Sequence, residues 1–283
     1  MDLCNVANLR KILKQHGLWA KKTLGQHFLV NREILKFIVE ASELERDDYV
    51  IEVGAGLGTL SLEILETGAK LLAVEKDPEI IEILKKNTKD FKNIQILQAD
   101  ILKLSNQDLR ISNGSKYKVV ANLPYYITSP VLQYFLEKEE KPQELVLMVQ
   151  REVAKRITAG PGDLSILAIS VQIYGKPEIV CEASRSNFFP EPQVDSTVIK
   201  ITPYGKLFFD IKDKKLFFQI VKAGFGERRK QLHNSLAGGL NLPESEIKKM
   251  LDAANVNPTW RAENLSILDW KKIYDFVSRE KSL

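Results

Sequence analysis

Short apolar runs alternate with helix-sized segments between residues 49 and 159, and this alternation restricts the possible folds. Each run has the length and composition of a buried strand. The predicted strands are 49–53, 71–75, 94–97, 119–121 and 145–149, and the predicted helices are 59–67, 79–86, 130–136 and 152–159. Strands separated by helices form parallel βαβ units. The sequence therefore predicts an α/β fold with a Rossmann-like sheet.

The rest of the chain has two other patterns. Residues 166–180 and 195–201 are not separated by a long helix, so we expect an antiparallel pair at the sheet edge. Beyond a change of composition at 202–205, helices are predicted at 215–225, 230–240, 244–254 and 268–277. We expect a first domain over 1–205, which starts with a basic amphipathic helix at 1–20, and a small all-helical domain over 206–283.

Composition excludes several classes of protein. The chain is 44% hydrophobic and 28% charged, and no stretch of 18 uncharged apolar residues occurs, so we expect no membrane span. Two cysteines are too few for a disulfide framework or a zinc site. We therefore expect a cytoplasmic, metal-free protein, and we expect it to be a monomer.

A short polar and aromatic box follows the predicted strand 119–121. It consists of Asn122, Leu123, Pro124 and Tyr125. The carboxyl end of a strand is where an open α/β sheet places its chemistry. An Asn oxygen and a backbone carbonyl can accept hydrogen bonds from an exocyclic amine, and a Tyr ring can stack on a base. The box suits the positioning of a nucleobase amino group; the alternative is a turn with a half-buried Tyr.

A glycine turn joins the first strand to its helix. Gly54 and Gly56 allow a ligand to approach the backbone closely. Thr59 stands where a dinucleotide-binding turn has its last glycine, so the turn favours a compact adenosyl ligand over a dinucleotide. Glu75 ends the second strand and could bond ribose hydroxyls, while Asp100 follows the third strand and could bind an adenine amine. The alternatives are structural packing for the turn and a helix cap for Asp100.

Positive charge is clustered although the net charge is only +4. The segment 9–36 has seven Lys or Arg residues and one acid, and two further clusters follow. The residues from these clusters that we expect to contact the phosphate backbone of a nucleic acid are Lys21, Lys22, Arg151, Lys155, Arg156, Arg228, Arg229 and Lys230. Any single cluster could instead be a solvated surface.

Seven segments together resemble a known family. They are KKTLGQHFL, EVGAGLG, VEKD, ADIL, NLPYYI, VQREVAKRI and NFFPEPQVDS. Their order is similar to that in the S-adenosylmethionine-dependent ribosomal RNA adenine N6,N6-dimethyltransferases, and most of all to the small-subunit class. The resemblance covers nearly the whole chain, including RRKQLHNSL. It implies S-adenosylmethionine as cofactor, an RNA-binding helical domain, and small-subunit rRNA as partner, with two adjacent adenosines in a terminal hairpin loop as targets.

The resemblance also implies roles for single residues. His27 and Leu29 close over the cofactor, Gly54 and Gly56 line its methionine part, Glu75 holds the ribose, Asp100 holds the adenine amine, and Asn122 bridges cofactor and target. Relatives often have Asn at the position of His27, which leaves a side-chain contact there open.

The target adenine must leave its stack to reach a buried cofactor. We expect Tyr125 to stack on one face of this base and Phe188 or Phe189 to close the other, although core packing is the alternative for both Phe residues. Four rival functions remain at this stage: a large-subunit rRNA methyltransferase of the antibiotic-resistance type, a non-catalytic assembly or transcription factor, an NAD-linked enzyme, and a DNA adenine methyltransferase.

Overall fold

The computed structural model describes residues 2–18, 26–208, 210–227 and 229–280. The chain forms two compact units. One consists of Met1–Ala154 and Lys176–Pro203, and the other of Lys155–Gly175 and Tyr204–Leu283. The segment 155–175, which lay within the predicted first domain, groups with the helices of the second unit. Within that unit the Gly162 N–H donates to the Glu263 carbonyl at 2.8 Å.

A seven-stranded sheet forms the centre of the first unit. Its order is β4-β3-β2-β5-β6-β9-β7, and a separate two-stranded ribbon pairs β1 with β8. The strands are β1 (Phe28–Leu29), β2 (Tyr49–Val53), β3 (Lys70–Glu75), β4 (Ile94–Gln98), β5 (Lys118–Asn122), β6 (Glu144–Gln150), β7 (Gly175–Ala183), β8 (Phe188–Phe189) and β9 (Ser196–Pro203). Strands β2 to β6 are parallel, and β9 is antiparallel to β6. The predicted parallel sheet is confirmed.

Helices connect the strands and form the second unit. They are α1 (Val6–Gln15), α2 (Arg32–Ala41), α3 (Thr59–Glu66), α4 (Pro78–Asn87), α5 (Thr128–Leu136), α6 (Arg151–Thr158), α7 (Ile166–Gln172), α8 (Lys214–Phe225), α9 (Leu232–Leu240), α10 (Glu244–Ala253) and α11 (Ile267–Glu280). Local signals set several starts. Asn5 caps α1 and Asn31 caps α2 through side-chain oxygens, and Asp77 caps α4 directly before Pro78.

Two predicted elements differ from the structure. The first helix is shorter than 1–20, because Asn5 caps its start and Gly17 at φ 66° follows its end; residues 19 and 20 lie outside the described residues. Residues 166–172, predicted as extended, form helix α7, which Ser165 caps by accepting from the Ala168 N–H. A short apolar run fits a buried helix as well as a buried strand.

The helices of the second unit pack closely around aromatic side chains. Trp270 and Phe217 are both 0% exposed. A Cβ added at Gly224 would overlap the Trp270 ring, and one added at Gly239 would overlap Ala223. These two glycines therefore allow α8 to approach its neighbours. Two predictions about the small helical domain remain predictions: that it binds RNA, and that it begins at residue 206.

Candidate functional site

A cavity of about 400 Å³ lies at the carboxyl ends of β2, β3 and β5. Its volume is within the range of small-molecule sites. It is lined by residues from every predicted cofactor motif and from the polar box: His27, Leu29, Gly54, Gly56, Glu75, Asp100, Asn122, Leu123, Pro124 and Tyr125. These residues lie up to 98 positions apart in the sequence, and the parallel strand order brings them together.

The glycine turn presents bare backbone to the cavity. Gly54 and Gly56 have φ values of 73° and 56°, which favour glycine. The Gly54 N–H donates to the Val74 carbonyl at 2.8 Å. A Cβ at Gly54 would lie 3.3 Å from Pro124 Cδ, so a side chain here would crowd the polar box. The turn therefore brings β2 and the polar box close together.

Glu75 is held by backbone groups on both sides. Its Oε2 accepts from the Gly56 N–H at 2.9 Å, and its Oε1 accepts from the N–H groups of Lys76 and Asp77 at 2.7 and 2.8 Å. A carboxylate has about four acceptor positions. Three are occupied here, so one position on Oε2 remains for a ligand hydroxyl.

Asp100 caps the 3-10 turn Ile101–Lys103, the role given above as the alternative to ligand binding. Its Oδ1 accepts from the Leu102 N–H at 3.2 Å, and its Oδ2 accepts from Lys76 Nζ at 3.0 Å. Partial burial tends to raise the pKa of Asp100, but these hydrogen bonds and the charges of Lys76 and Lys103 lower it overall. An ionised carboxylate that lines the cavity can still accept from an amine, because each oxygen has a second lone pair.

The Asn122 side chain is oriented by its neighbour across the cavity. Its Nδ2 donates to the His27 carbonyl at 3.2 Å. This bond holds the amide nitrogen against the backbone of His27. No described residue donates a hydrogen bond to Asn122 Oδ1. The His27 ring is held separately: its Nδ1 lies 2.7 Å from the Pro190 carbonyl, and the ring stacks on Tyr125 at 5.8 Å between centroids.

The rest of the polar box is rigid. Leu123 is 2% exposed, and its N–H donates to the Met148 carbonyl at 3.2 Å. The hydroxyl of Tyr125 bonds to Ser196 Oγ at 2.8 Å, and the ring is partly exposed in the cavity. Burial raises the pKa of the Tyr125 phenol. The ring is thus a fixed, neutral platform.

Phe188 does not meet the expectation that it closes over a target base. It is 4% exposed and packs in the core with Leu29 and Leu35, and it does not line the cavity. Strand β8 pairs Phe188 with Leu29, which directs the ring inwards. Phe189 packs under Arg10, whose guanidinium lies 4.9 Å from the ring centroid. Core packing, the alternative interpretation, fits Phe188.

Three residues near the cavity have roles that the sequence analysis did not assign. Gln26 Nε2 donates to Asp77 Oδ2 at 3.0 Å, which connects the segment before β1 to the cap of α4. The Asp-Pro pair after a strand was the available signal for Asp77. Glu52 precedes the glycine turn and is only 1% exposed. Its place inside an apolar run, directly before the glycine turn, was the available signal.

Glu52 is expected to make stability depend on pH. Burial is the main cause that raises its pKa from 4.5 to about 8; the Ser61 hydrogen bond opposes this shift, and the charge of Glu75 adds to it. The folded state therefore binds one more proton than the unfolded state between pH 4.5 and 8, so stability falls as pH rises through this window, by up to about 1.4 kcal/mol per pH unit.

Glu52→Gln tests this expectation, because Gln keeps an oxygen that can accept from Ser61. Urea unfolding at pH 5, 6, 7 and 8 should show a flatter pH profile for the variant and a higher stability than the wild type at pH 8. Parallel profiles for the two proteins would mean that Glu52 does not titrate in this range.

The basic clusters are exposed where the structure describes them. Lys155, Arg156 and Arg229 are exposed, while Arg151 pairs with Asp195 at 3.1 Å and Lys230 pairs with Glu227 at 2.7 Å. The predicted contacts Lys21, Lys22 and Arg228 lie outside the described residues. Exposed ion pairs contribute little to stability and are readily exchanged for phosphate. Phosphate contact by these residues stays a prediction.

The described residues have neither a membrane-spanning helix nor a metal-binding cluster. In residues 2–18, 26–208, 210–227 and 229–280, no helix has the length and apolar character needed to cross a membrane. The same ranges contain no group of three or more His, Cys, Asp or Glu side chains that could hold a metal ion.

Comparison with known proteins identifies the family. The sequence profile described as Ribosomal RNA adenine dimethylase matches residues 17–279. The chain belongs to this family. A Dehalococcoides mccartyi protein named Ribosomal RNA small subunit methyltransferase A is 41% identical over 268 residues, which cover 95% of this chain and 92% of that protein. A Clostridioides difficile protein of the same name is 40% identical over 287 residues, which cover 100% and 99%.

Solved structures of similar fold agree with this family. A dimethyladenosine transferase from Plasmodium falciparum has a TM-score of 0.75 and 26% identity, over 90% of this chain and 98% of that one. The 23S rRNA methyltransferase ErmE has a TM-score of 0.71 over 89% and 99%; its 23% identity bears on the fold alone. The Rossmann-like methyltransferase fold is confirmed. The chain is an rRNA adenine dimethyltransferase whose methyl donor is S-adenosylmethionine, which decides against the NAD-linked alternative.

Proposed function

We propose that the chain dimethylates N6 of adenosines in small-subunit rRNA, with S-adenosylmethionine as donor. The names of the relatives at 40% and 41% identity support this substrate, because each covers nearly the whole chain. They favour it over the large-subunit alternative, because both names specify the small subunit. Two adjacent adenosines of a terminal hairpin loop stay the expected targets.

The cavity residues fit this donor. A Cβ at Gly54 would crowd Pro124 at 3.3 Å, and the positive φ of Gly56 disfavours a side chain there, so bare backbone faces the cavity at both positions. Glu75 has one acceptor position left for a ribose hydroxyl, and the Asp100 carboxylate can accept from an adenine amine. When bound, S-adenosylmethionine supplies a sulfonium methyl group.

The orientation of Asn122 is the observation that carries the proposal. Because Nδ2 is bonded to the His27 carbonyl, Oδ1 is available as an acceptor. We assign to Oδ1, together with the Leu123 or Pro124 carbonyl, the two N6 hydrogens of an adenine that stacks on Tyr125. These bonds draw the nitrogen lone pair out of conjugation with the ring and aim it at the methyl group. Catalysis is then positioning and electrostatics, without a strong base. As N6 takes the methyl group, the carbon–sulfur bond would break, the sulfur would leave as a neutral thioether, and one N6 proton would pass to solvent. A second round on the monomethyl product would give the dimethyl product.

Methyl transfer to purified ribosomal subunits tests the function. Small subunits that lack the modification, large subunits and duplex DNA are each incubated with labelled S-adenosylmethionine, and the label is identified by nucleoside analysis. We expect N6,N6-dimethyladenosine in small-subunit RNA alone. Label in large-subunit RNA would support the resistance-type alternative, and label in DNA would support a DNA methyltransferase. Cofactor binding without any label would support the non-catalytic factor.

The exposed basic residues are expected to make RNA binding depend on salt. A plot of log affinity for unmodified small subunits against log salt should have a negative slope of about 0.7 to 0.9 per neutralised phosphate. Replacing Lys155, Arg156 and Arg229 with alanine should make this slope shallower. A wild-type affinity that does not change with salt would contradict a role for these clusters.

Three further expectations are proposals of the same kind. We expect residues 206–283 to contribute to RNA binding, the protein to act as a monomer, and the reaction to take place in the cytoplasm.

A further inference from the structure

The rim of the cavity carries an aromatic ring that the proposed chemistry does not use. Tyr126 lines the cavity next to Tyr125, and it is 55% exposed. Tyr126 is the middle residue of the 3-10 turn Tyr125–Ile127, which leads into α5. An exposed Tyr at the mouth of a binding site offers a flat apolar face on which a base can stack. Tyr125 differs, because its hydroxyl is bonded to Ser196 and its ring faces the cavity.

Lys76 also lines the cavity, and Lys103 directly follows Leu102, another lining residue. The Lys76 side chain is 60% exposed and holds Asp100 at 3.0 Å, and Lys103 is exposed at the end of the 3-10 turn that Asp100 caps. The hydrogen bond to Asp100 is the main cause that raises the pKa of Lys76. Lys76, Asp100 and Tyr126 all line the same cavity. Neither lysine belongs to the three basic clusters predicted from the sequence.

We infer that Tyr126, Lys76 and Lys103 form a docking surface for the nucleotide next to the target adenosine in the RNA. Its base stacks on Tyr126, and the phosphates that connect it to the target meet the two lysines. This inference rests on the proposed function, since it requires an RNA strand whose adenine enters the cavity.

Covalent connection and charge support this occupant. A flipped nucleotide remains joined to its neighbours, so the RNA chain must cross the rim wherever the base enters. Aromatic rings accept any base as a stacking partner, and lysines attract phosphate. An ammonium group has three N–H donors, so Lys76 can bond Asp100 and a phosphate at once. The ion pair with Asp100 is exposed and therefore weak, so it does not prevent this second contact.

Tyr126→Ala tests the aromatic part. With unmodified small subunits as substrate, KM should rise about tenfold or more, because the variant has no ring on which the base can stack. Tyr126→Phe keeps the ring and should stay within about twofold of the wild-type KM. Phe37→Ala is the matched control, since Phe37 is 46% exposed but does not line the cavity. The Kd for S-adenosylmethionine, measured by calorimetry, should be unchanged in all three variants.

Alanine at Lys76 and Lys103 tests the charged part. The slope of log KM against log salt should become shallower by about one for each phosphate that the variant no longer neutralises. Lys85→Ala is the control, because Lys85 is similarly exposed at 57%, pairs with Glu82 and does not line the cavity. It should leave the slope at its wild-type value.

The outcomes separate this inference from the proposed function. If wild-type protein does not methylate small subunits, the proposed function fails. If wild-type protein methylates small subunits but Tyr126→Ala and Phe37→Ala have the same KM, the inference of a docking surface at Tyr126 is wrong. A lower cofactor affinity in Tyr126→Ala with an unchanged KM for subunits would overturn it as well, because the ring would then act inside the cavity.

Discussion

Asn122→Ala is expected to lower the rate of methyl transfer by about 100- to 1000-fold, the effect of removing one positioned group that acts in the transition state. Asn122 Oδ1 is the acceptor that the His27 carbonyl bond leaves available, and alanine removes it without filling the cavity. The decrease should be in the single-turnover rate with saturating S-adenosylmethionine and unmodified small subunits. Cofactor affinity should fall much less, because Glu75, Asp100 and the glycine turn remain.

Asn93→Ala is the matched control for this variant. Asn93 is also partly buried, and its Nδ2 donates to the Ala69 carbonyl at 2.6 Å, but it does not line the cavity. It should lose some stability and keep the wild-type rate. If Asn122→Ala methylates at the wild-type rate, the amine is not positioned by this side chain, and the proposed chemistry is wrong.

Glu75→Ala is expected to weaken S-adenosylmethionine binding by about tenfold to 100-fold, since a hydrogen bond to a charged group contributes roughly 1.5 to 3 kcal/mol. The same change leaves the N–H groups of Gly56, Lys76 and Asp77 without their acceptor. The glycine turn and the start of α4 should therefore become less ordered as well. Calorimetric titration with S-adenosylmethionine measures the affinity without RNA, so it separates this effect from substrate binding.

Glu82→Ala provides the comparison for Glu75→Ala. Glu82 is an acid on α4 that pairs only with the exposed Lys85 among its described ion-pair partners, and it does not line the cavity. It should bind S-adenosylmethionine as the wild type does. Equal affinity in both variants would remove Glu75 from the cofactor site and leave it as a brace of the turn.

Much of the cofactor site could be predicted because its signals are local. Glycines at positive φ, an acid at the end of a strand and an Asn-Leu-Pro-Tyr box each occupy a few consecutive residues. The strand order of a parallel βαβ fold then brings the carboxyl ends of these strands to one edge of the sheet. Gly54, Glu75, Asp100 and Asn122 line one cavity for this reason.

Other properties depended on partners far away in the sequence. Phe188 lies in the core because β8 pairs with β1, near the start of the chain, at Leu29. Tyr126 is 55% exposed, whereas Tyr125 is partly buried and its hydroxyl bonds to Ser196, 71 positions further along the chain. Adjacent aromatic residues look alike in a sequence pattern, and only their neighbours in space distinguish them.

The sequence by itself determined the α/β class, the positions of the parallel strands, the glycine turn and the family to which the chain belongs. These properties follow from hydrophobic period and short motifs, which act over a few residues. Only the tertiary structure decided that Glu52 is a buried acid with a raised pKa, that residues 166–172 are helical, and that the Asn122 amide nitrogen bonds the His27 carbonyl and leaves its oxygen available. Burial and hydrogen-bond direction depend on all the surrounding elements at once, so no local pattern contains them.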